Sequence, residues 1–540
     1  MAKSLQLVRQ DDFTGGLNLR ADQFQLGKNE SPAMLNVDAD PRGGIFSRAG
    51  FRFINSTVAL SSNWRPRNLF SFYGTDPKVL LSTGYGSATN GTVLHSAGGN
   101  FTNLSIGVTN TEGADFAAWG KTVYIAKGVA SQFSSWDQTT VTTISASGDT
   151  TVGAYTAWGS ASDHIPQANL TITHAGKLWV ANTQEFVGST GTQFPNRIRW
   201  SGENTPTRWT YLDFIDINDG GQGITALASY GGALLVFKQN SVYAILGYNT
   251  DTFQVVEVAK KIGAVNKNSV ITTEFGVFFF SWPEGLFFYD GTNVKDLFNQ
   301  IKPIIDKNYV NKNALDIVNV AYINRRVFVS LPYSETTTPT TPTTVFCLDT
   351  SIGNGYWTMY QTADSYGFAG GCSLSSNTGV ELQLMVHPNI AVAADISDYT
   401  YEKDNFGGGD VNFVSYYRTR WIDAGNYAMN KMFRKTDFVL KQKSTSRDLA
   451  VDVYHNYEEL DGTAQRTFNL NIPASGTGML WGTTLWLAGS WGGSNLGSFI
   501  ESGTNLGLAK SVQLEMTGPT GLSWGLNSFT IKYNARKVKA

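Results

Sequence analysis

The chain has 540 residues, of which 41% are hydrophobic, 13% aromatic and 56 are glycine, enough for several buried cores in roughly two to four domains. Charged residues make up only 16% and the formal net charge is −2, which argues against a protein that grips nucleic acid by neutralising phosphates. Met1-Ala2-Lys3-Ser4 is not followed by an apolar run and no stretch reaches the roughly 18 apolar residues of a membrane span, so neither a secretion signal nor a membrane anchor is expected.

Residues 1–60 are polar, carry several arginines and show few strands. They are expected to form an irregular docking or platform segment. Asp38-Ala39-Asp40-Pro41-Arg42-Gly43 has a faint likeness to a calcium loop, but Arg42 stands where a ligand belongs and no glutamate closes it. A turn is the better reading.

From residue 61 to about 409, short apolar runs alternate with Gly, Asn, Asp and Ser, the signature of strands and turns. A turn followed by a strand with a large apolar centre recurs at Gly74, Gly120, Gly176, Gly232, Gly276 and Arg325. The intervals are 46, 56, 56, 44 and 49 residues, near the roughly 40–50 residues of a four-stranded propeller blade. A second element repeats inside these units, an apolar strand ending in an aspartate at a turn: Asp137, Asp290 and Asp349. Such a carboxylate caps the turn. The clearest helical spacing is Val294 to Lys307, with Leu297, Phe298, Ile301, Ile304 and Ile305. The Thr/Pro run Glu335 to Thr344 is expected to be an exposed loop between two strands. Cys347 and Cys372 fall in apolar strand-like stretches and are expected to be buried free thiols.

Residues 410–540 lose the repeat and alternate instead, in Leu449–Tyr454, Ser511–Met516 and Ser528–Tyr533, as strands with one buried face do. The expected fold is therefore all-β: a β-propeller of four-stranded blades over 61–409, between an irregular N-terminal segment and a C-terminal β-sandwich-like domain over 410–540. A long array of β-sandwiches is the competing arrangement.

No catalytic signature stands out. The five histidines, His95, His164, His174, His387 and His455, are scattered, and Cys-x-x-Cys, His-Glu-x-x-His and Gly-x-Ser-x-Gly are absent. Gly407-Gly408-Gly409 lacks the Lys-Ser/Thr of a phosphate loop and reads as a turn. No catalytic residue, cofactor or metal is assigned. A carboxylate pair for glycoside cleavage would meet only in space.

The opening segment runs Asp12-Phe13-Thr14-Gly15-Gly16-Leu17-Asn18-Leu19-Arg20, then Asn36-Val37-Asp38, then Arg42-Gly43-Gly44-Ile45-Phe46-Ser47-Arg48-Ala49-Gly50-Phe51. Further on stand Ile198-Arg199-Trp200-Ser201-Gly202 with Trp209-Thr210, Ile224-Thr225-Ala226-Leu227 through Val242-Tyr243 to Gly247, Arg420-Trp421-Ile422-Asp423 and Lys431-Met432-Phe433-Arg434. In this order they resemble the tail nozzle, or tail tubular protein B, family of short-tailed bacteriophages. The chain is shorter than the nozzles of the best-known members, so tip domains found there would be reduced or absent.

The resemblance implies a structural, non-enzymatic virion protein, made in the host cytoplasm. It would form a hexameric ring below the portal and its adaptor, with tail fibres as further partners. DNA would pass along the six-fold axis without sequence recognition. Arg42, Arg48 and Arg52 are the candidate contacts to adaptor or neighbouring subunits. The basic Arg536-Lys537-Val538-Lys539 reads as a solvated end. Two other functions compete: a propeller glycosidase acting on host polysaccharide, and a receptor-binding or scaffold propeller.

Overall fold

A computed structural model describes residues 5–22, 24–54, 64–84, 91–146, 148–149, 164–187, 190–352, 355–377, 379–390, 392–397, 400–406, 409–441, 443, 445–457, 463–474 and 498–535. Gly407, Gly408 and the basic run 536–539 lie outside them. The fold is nearly all β. Among the described residues, the only α-helix is the single turn Pro303–Asp306.

Seven antiparallel sheets follow one another along the middle of the chain, over 65–103, 115–143, 167–216, 224–260, 270–296, 319–360 and 370–395. In the first six, four consecutive strands pair in sequence order; the third also takes the short strand Gly148–Asp149. The seventh has three local strands and completes itself with Arg52–Phe53, from the N-terminal segment, paired to Ala393–Asp395.

The six repeated turns all sit between the first and second strands of a sheet. Gly120, Gly176, Gly232 and Arg325 there have φ of 55°, 69°, 80° and 61°. Three are glycines because that backbone region disfavours a Cβ. The three turn aspartates link third and fourth strands. Asp137 Oδ1 accepts from the Thr139 and Thr140 amides at 2.9 and 2.7 Å, and Asp290 Oδ1 from Thr292 and Asn293 at 3.0 and 2.8 Å. Asp349 Oδ1 accepts from the Ser351 amide at 2.9 Å.

The sheets bury both faces against their neighbours. Val277 and Phe279 join a cluster with Leu235 and Phe237 of the fourth sheet. The intervening Phe278 and Phe280 join Val320, Val327 and Val329 of the sixth. This explains why the strands read as continuous apolar runs and not as alternation. Similar clusters join the first sheet to the second, second to third, third to fourth, and sixth to seventh. A seventh cluster returns the series to its start, packing Leu69, Val79 and Leu81 on Cys372, Leu374 and Leu384. The first strands of sheets two to seven neighbour one another in order, and that of the seventh neighbours that of the first.

Two further sheets hold the C-terminal region. One joins Ser498–Ala509, Lys431–Lys441 and Gly525–Ala535; the other joins Tyr416–Arg418, Val512–Thr517, Arg447–His455 and Arg466–Ile472. Phe438 of the first meets Phe468 of the second with ring centroids 6.2 Å apart.

The N-terminal segment is not irregular in this region. Gln6–Gln10, Val37–Ala39 and Ile45–Ser47 extend the first of these sheets and Ala33–Leu35 the second. Its short strands have no periodicity of their own: Val37–Ala39 pairs locally with Ile45–Ser47, and partners roughly 380–530 residues away supply the other half of the remaining ladders to the C-terminal sheets. The segment also docks on the sixth sheet: Thr358 Oγ1 donates to the Val37 carbonyl at 2.7 Å, and the Asn36 amide to that of Met359 at 2.7 Å.

The helix expected over 294–307 is a correction. Val294–Asp296 is the fourth strand of the fifth sheet, paired to Phe287–Tyr289, and only the turn starting at Pro303 is helical. The spacing of Phe298, Ile301, Ile304 and Ile305 reflects burial of a loop in the core shared with the C-terminal sheets.

Candidate functional site

The three arginines singled out from the sequence occupy different environments. Arg42 is at the surface, its side chain 83% exposed, and pairs with Asp40 at 2.9 Å. The guanidinium holds the Asp40 carboxyl well below the usual carboxylate range, with the Lys441 ammonium adding to it. The calcium-like loop is thus a turn whose carboxylate is already taken by two cations. Arg52 is exposed on the strand that completes the seventh sheet.

Arg48 is buried, which removes it from any surface open to another subunit in this fold. Its Nη1 and Nη2 each donate to Asp404 at 2.8 Å, Nε donates to Asn36 Oδ1 at 2.8 Å, and the carbonyls of Ala49 and Gln361 take the rest. Its guanidinium lies 4.0 Å from the Phe51 ring centroid and 3.8 Å from that of Phe413. All of its hydrogen-bonding capacity is spent inside the chain.

Arg199, from another of the motifs, is the centre of a second internal network. It grips Glu185 bidentately at 2.6 and 2.9 Å, Glu185 also takes Arg197 at 3.1 Å, and Arg197 grips Asp216 at 2.7 and 2.8 Å. Lys431 is likewise buried and donates to the carbonyls of Asn426, Met429 and Lys510.

The first strands of the sheets present a different arrangement. At and before their starts, Arg65, Arg67, Asn268 and Asp316 come together around a cleft of about 240 Å³. Thr340, Thr341 and Pro342 of the Thr/Pro loop and Pro388 complete its wall. Close by, Lys267 is buried and donates to the Gly113 carbonyl, and Asn268 Nδ2 donates to that of Glu112 at 3.0 Å. Asp115 accepts from the amides of Phe116 and Thr171 at 3.1 and 2.9 Å. Burial pushes the carboxyls of Glu112 and Asp115 above their usual range and Lys267 below its own. Carboxyls raised in this way are suited to giving and taking protons. Sequence reading missed this group because its members come from four sheets. The one available signal is position, a charged residue just before or at the start of a sheet's first strand.

A second cavity, about 390 Å³, lies where the N-terminal segment, sixth sheet and C-terminal sheets meet, with Tyr309, Tyr333, Tyr416 and Arg418 in its wall.

His174 Nδ1 lies 2.7 Å from Ser229 Oγ, and His387 Nε2 lies 2.9 Å from Asp364. Among the described residues no group of three or more His, Cys, Asp or Glu side chains is placed to hold a metal ion. Cys347 and Cys372 are buried free thiols, and burial pushes Cys372 up to about 12.

No protein-family model matches the chain, and no curated protein does. Solved structures match the chain only at low identity and low TM-score. The computationally designed Ika8 protein is 9% identical with a TM-score of 0.34, covering 64% of this chain and 99% of its own. The AfRom2 CNH domain is 10% identical with a TM-score of 0.26, covering 42% and 62%. The extracellular domain of the putative one-component system BT4673 from B. thetaiotaomicron is 10% identical with a TM-score of 0.29, covering 76% and 41%.

Proposed function

We propose that the chain is a structural bacteriophage virion protein, a tail nozzle, built as a seven-bladed β-propeller with a C-terminal β-sandwich. The propeller reading is supported by the seven sheets contacting in cyclic order and by the seventh sheet borrowing its last strand from the N-terminal segment. Neighbouring blades that bury each other's faces leave only short edges.

The observation that carries the nozzle reading is where the family-like residues fall. Asn36, Asp38 and Arg48 tie the N-terminal segment to the sixth sheet and to Asp404. Arg199 braces the third sheet and Lys431 the C-terminal region. The shared residues thus serve as joints of a rigid frame, as a load-carrying conduit needs. Weak net charge suits a wall along which DNA must slide. Arg42 and Arg52, on the surface, are the remaining candidate contacts for the adaptor or a neighbouring subunit.

Electron microscopy of the virion, and of the purified protein mixed with its adaptor, tests this. A six-fold ring beneath the portal is expected. A protein that stays monomeric with the adaptor and is absent from the tail overturns the reading.

The glycosidase reading draws on one observation, the carboxyls of Glu112 and Asp115 raised by burial beside the cleft. Incubation with host envelope glycans would release new reducing ends, and Glu112→Gln or Asp115→Asn would abolish the release. Intact glycans across several hosts dismiss it.

A further inference from the structure

The cleft holds a cation, Arg67, whose hydrogen bonding the chain leaves incomplete. Arg67 lies on the strand Arg65–Tyr73 and its side chain is 12% exposed. Its Nε is buried with no hydrogen-bond partner. The Asp316 carboxylate stands 3.6 Å from Nη2, beyond hydrogen-bonding distance. By contrast, Arg48 and Arg199 are each gripped at two contacts by one carboxylate, while Arg420, like Arg67, keeps a buried Nε without a hydrogen-bond partner. A buried donor left without a partner is costly, so its persistence beside a cleft points to a ligand.

The position of Arg67 is fixed by its surroundings. A Cβ on Gly84 would lie 2.6 Å from Arg67 Nε, and one on Gly113 would lie 3.0 Å from Arg67 Cβ. Two glycines therefore leave room for this side chain and little more. Beyond it opens the 240 Å³ cleft.

We propose that the cleft binds a carboxylate-bearing ligand the size of one sugar ring, a uronic-acid-type unit, with its carboxylate on Arg67. A guanidinium presents paired donors that match a carboxylate. The Thr340 and Thr341 hydroxyls and the Asp316 carboxylate, 43% exposed, suit the hydroxyls of a sugar. Pro66, Ile317 and Pro342 offer apolar wall to a ring face. The volume lies below the roughly 300 Å³ at which drug-sized sites begin, which limits the occupant to a single ring. The Asp316 charge opposes a dianion such as phosphate and tolerates a monoanion that also brings donors. The inference does not depend on the nozzle reading, since it concerns binding by one chain.

The test uses the full-length chain with glucuronic and galacturonic acids as probes. Glucose, acetate and inorganic phosphate are the comparisons. Saturation-transfer NMR and titration calorimetry give binding. Both uronic acids are expected to bind, with glucose, acetate and phosphate at least about tenfold weaker, a difference of about 1.4 kcal/mol. Arg67→Met removes the carboxylate partner, and Thr340→Trp fills the cleft from an exposed loop position; each is expected to weaken binding at least about tenfold. The melting temperature of Arg67→Met is expected to change little, because the loose pair to the part-exposed Asp316 contributes little and an orphaned donor is removed with it. Failure of both uronic acids to bind overturns the proposal. Equal binding of acetate or phosphate overturns the sugar class. Unchanged binding in Arg67→Met overturns the assigned contact. If that variant does not fold, unchanged binding in Thr340→Trp overturns the site.

Discussion

Arg48 and Asp404, 356 positions apart in sequence, form a bidentate ion pair with both contacts at 2.8 Å and side chains 2% and 1% exposed. The same carboxylate accepts from the amides of Phe51 and Ala363 at 3.2 and 2.9 Å. One pair therefore fastens the N-terminal segment to the chain beyond the seventh sheet. Removing one member of such a pair leaves the other buried and uncompensated. Arg48→Met is expected to cost about 3–5 kcal/mol of stability, measured by urea unfolding. Arg48→Met combined with Asp404→Leu should recover part of it, since no charge is then stranded. A single-variant loss below about 1 kcal/mol would show that the pair is not a tie of this kind.

Gly50 tests the same junction without any charge. A Cβ there would lie 2.0 Å from the Lys403 carbonyl oxygen and 2.6 Å from its amide nitrogen, and backbone cannot swing aside as a long side chain can. Gly50→Ala is expected to destabilise the protein by about 1–3 kcal/mol, the usual cost of overpacking. The Gly50 amide also donates to the Tyr401 carbonyl at 2.6 Å. Gly99→Ala, where an added Cβ meets nothing within 4 Å, is the comparison and should leave the urea midpoint nearly unchanged.

How much of this was legible in the sequence depends on the distance between partners. The turns at Gly120, Gly176 and Gly232 were legible because a hairpin is local and needs a particular backbone at its tip. Asp137, Asp290 and Asp349 were legible because their partners lie two or three residues on. The seventh sheet was not, because its fourth strand, Arg52–Phe53, lies more than 300 residues from Ala393–Asp395. Arg48 was noticed as a charge, but its burial depends on Asp404, Phe51 and Phe413 converging, which no local pattern announces. The apolar spacing from Leu297 to Ile305 imitated a helix because a buried loop also needs inward-facing residues.

The turn aspartates carry a pH dependence. Hydrogen bonds from the Thr140 amide and the Thr139 hydroxyl and amide hold Asp137 down at about 2. The Asn293 amide, the Lys295 ammonium and the Thr292 amide do the same for Asp290, also about 2. In the unfolded chain both return toward the ordinary 3.8. Between these values the unfolded state binds more protons, so stability rises with pH there. The contribution is complete above about pH 4 and is lost as pH falls through about 2. Thermal unfolding across that window should show a shallower acid decline in Asp137→Asn plus Asp290→Asn than in the unaltered protein. Parallel declines would refute the assignment.

The contact between the first and last sheets makes the sharpest statement about closure. The Ile54 amide donates to the Ala393 carbonyl at 3.1 Å, and Ile54 packs on the cluster of Leu69, Val79, Leu81, Cys372 and Leu384. Ile54→Pro removes that donor and the ladder bond it makes, at about 1.5 kcal/mol. If the seven sheets close into one ring at this contact, the loss is local to it. Amide hydrogen exchange should then quicken roughly tenfold or more in Ala393–Asp395 and Pro77–Gly84. Protection in Lys177–Val187 and Ala233–Lys238, on the far sheets, should stay the same. Uniform acceleration across all seven sheets would instead mean that they open as one unit, and acceleration in none would mean that the borrowed strand does not hold the first and last sheets together.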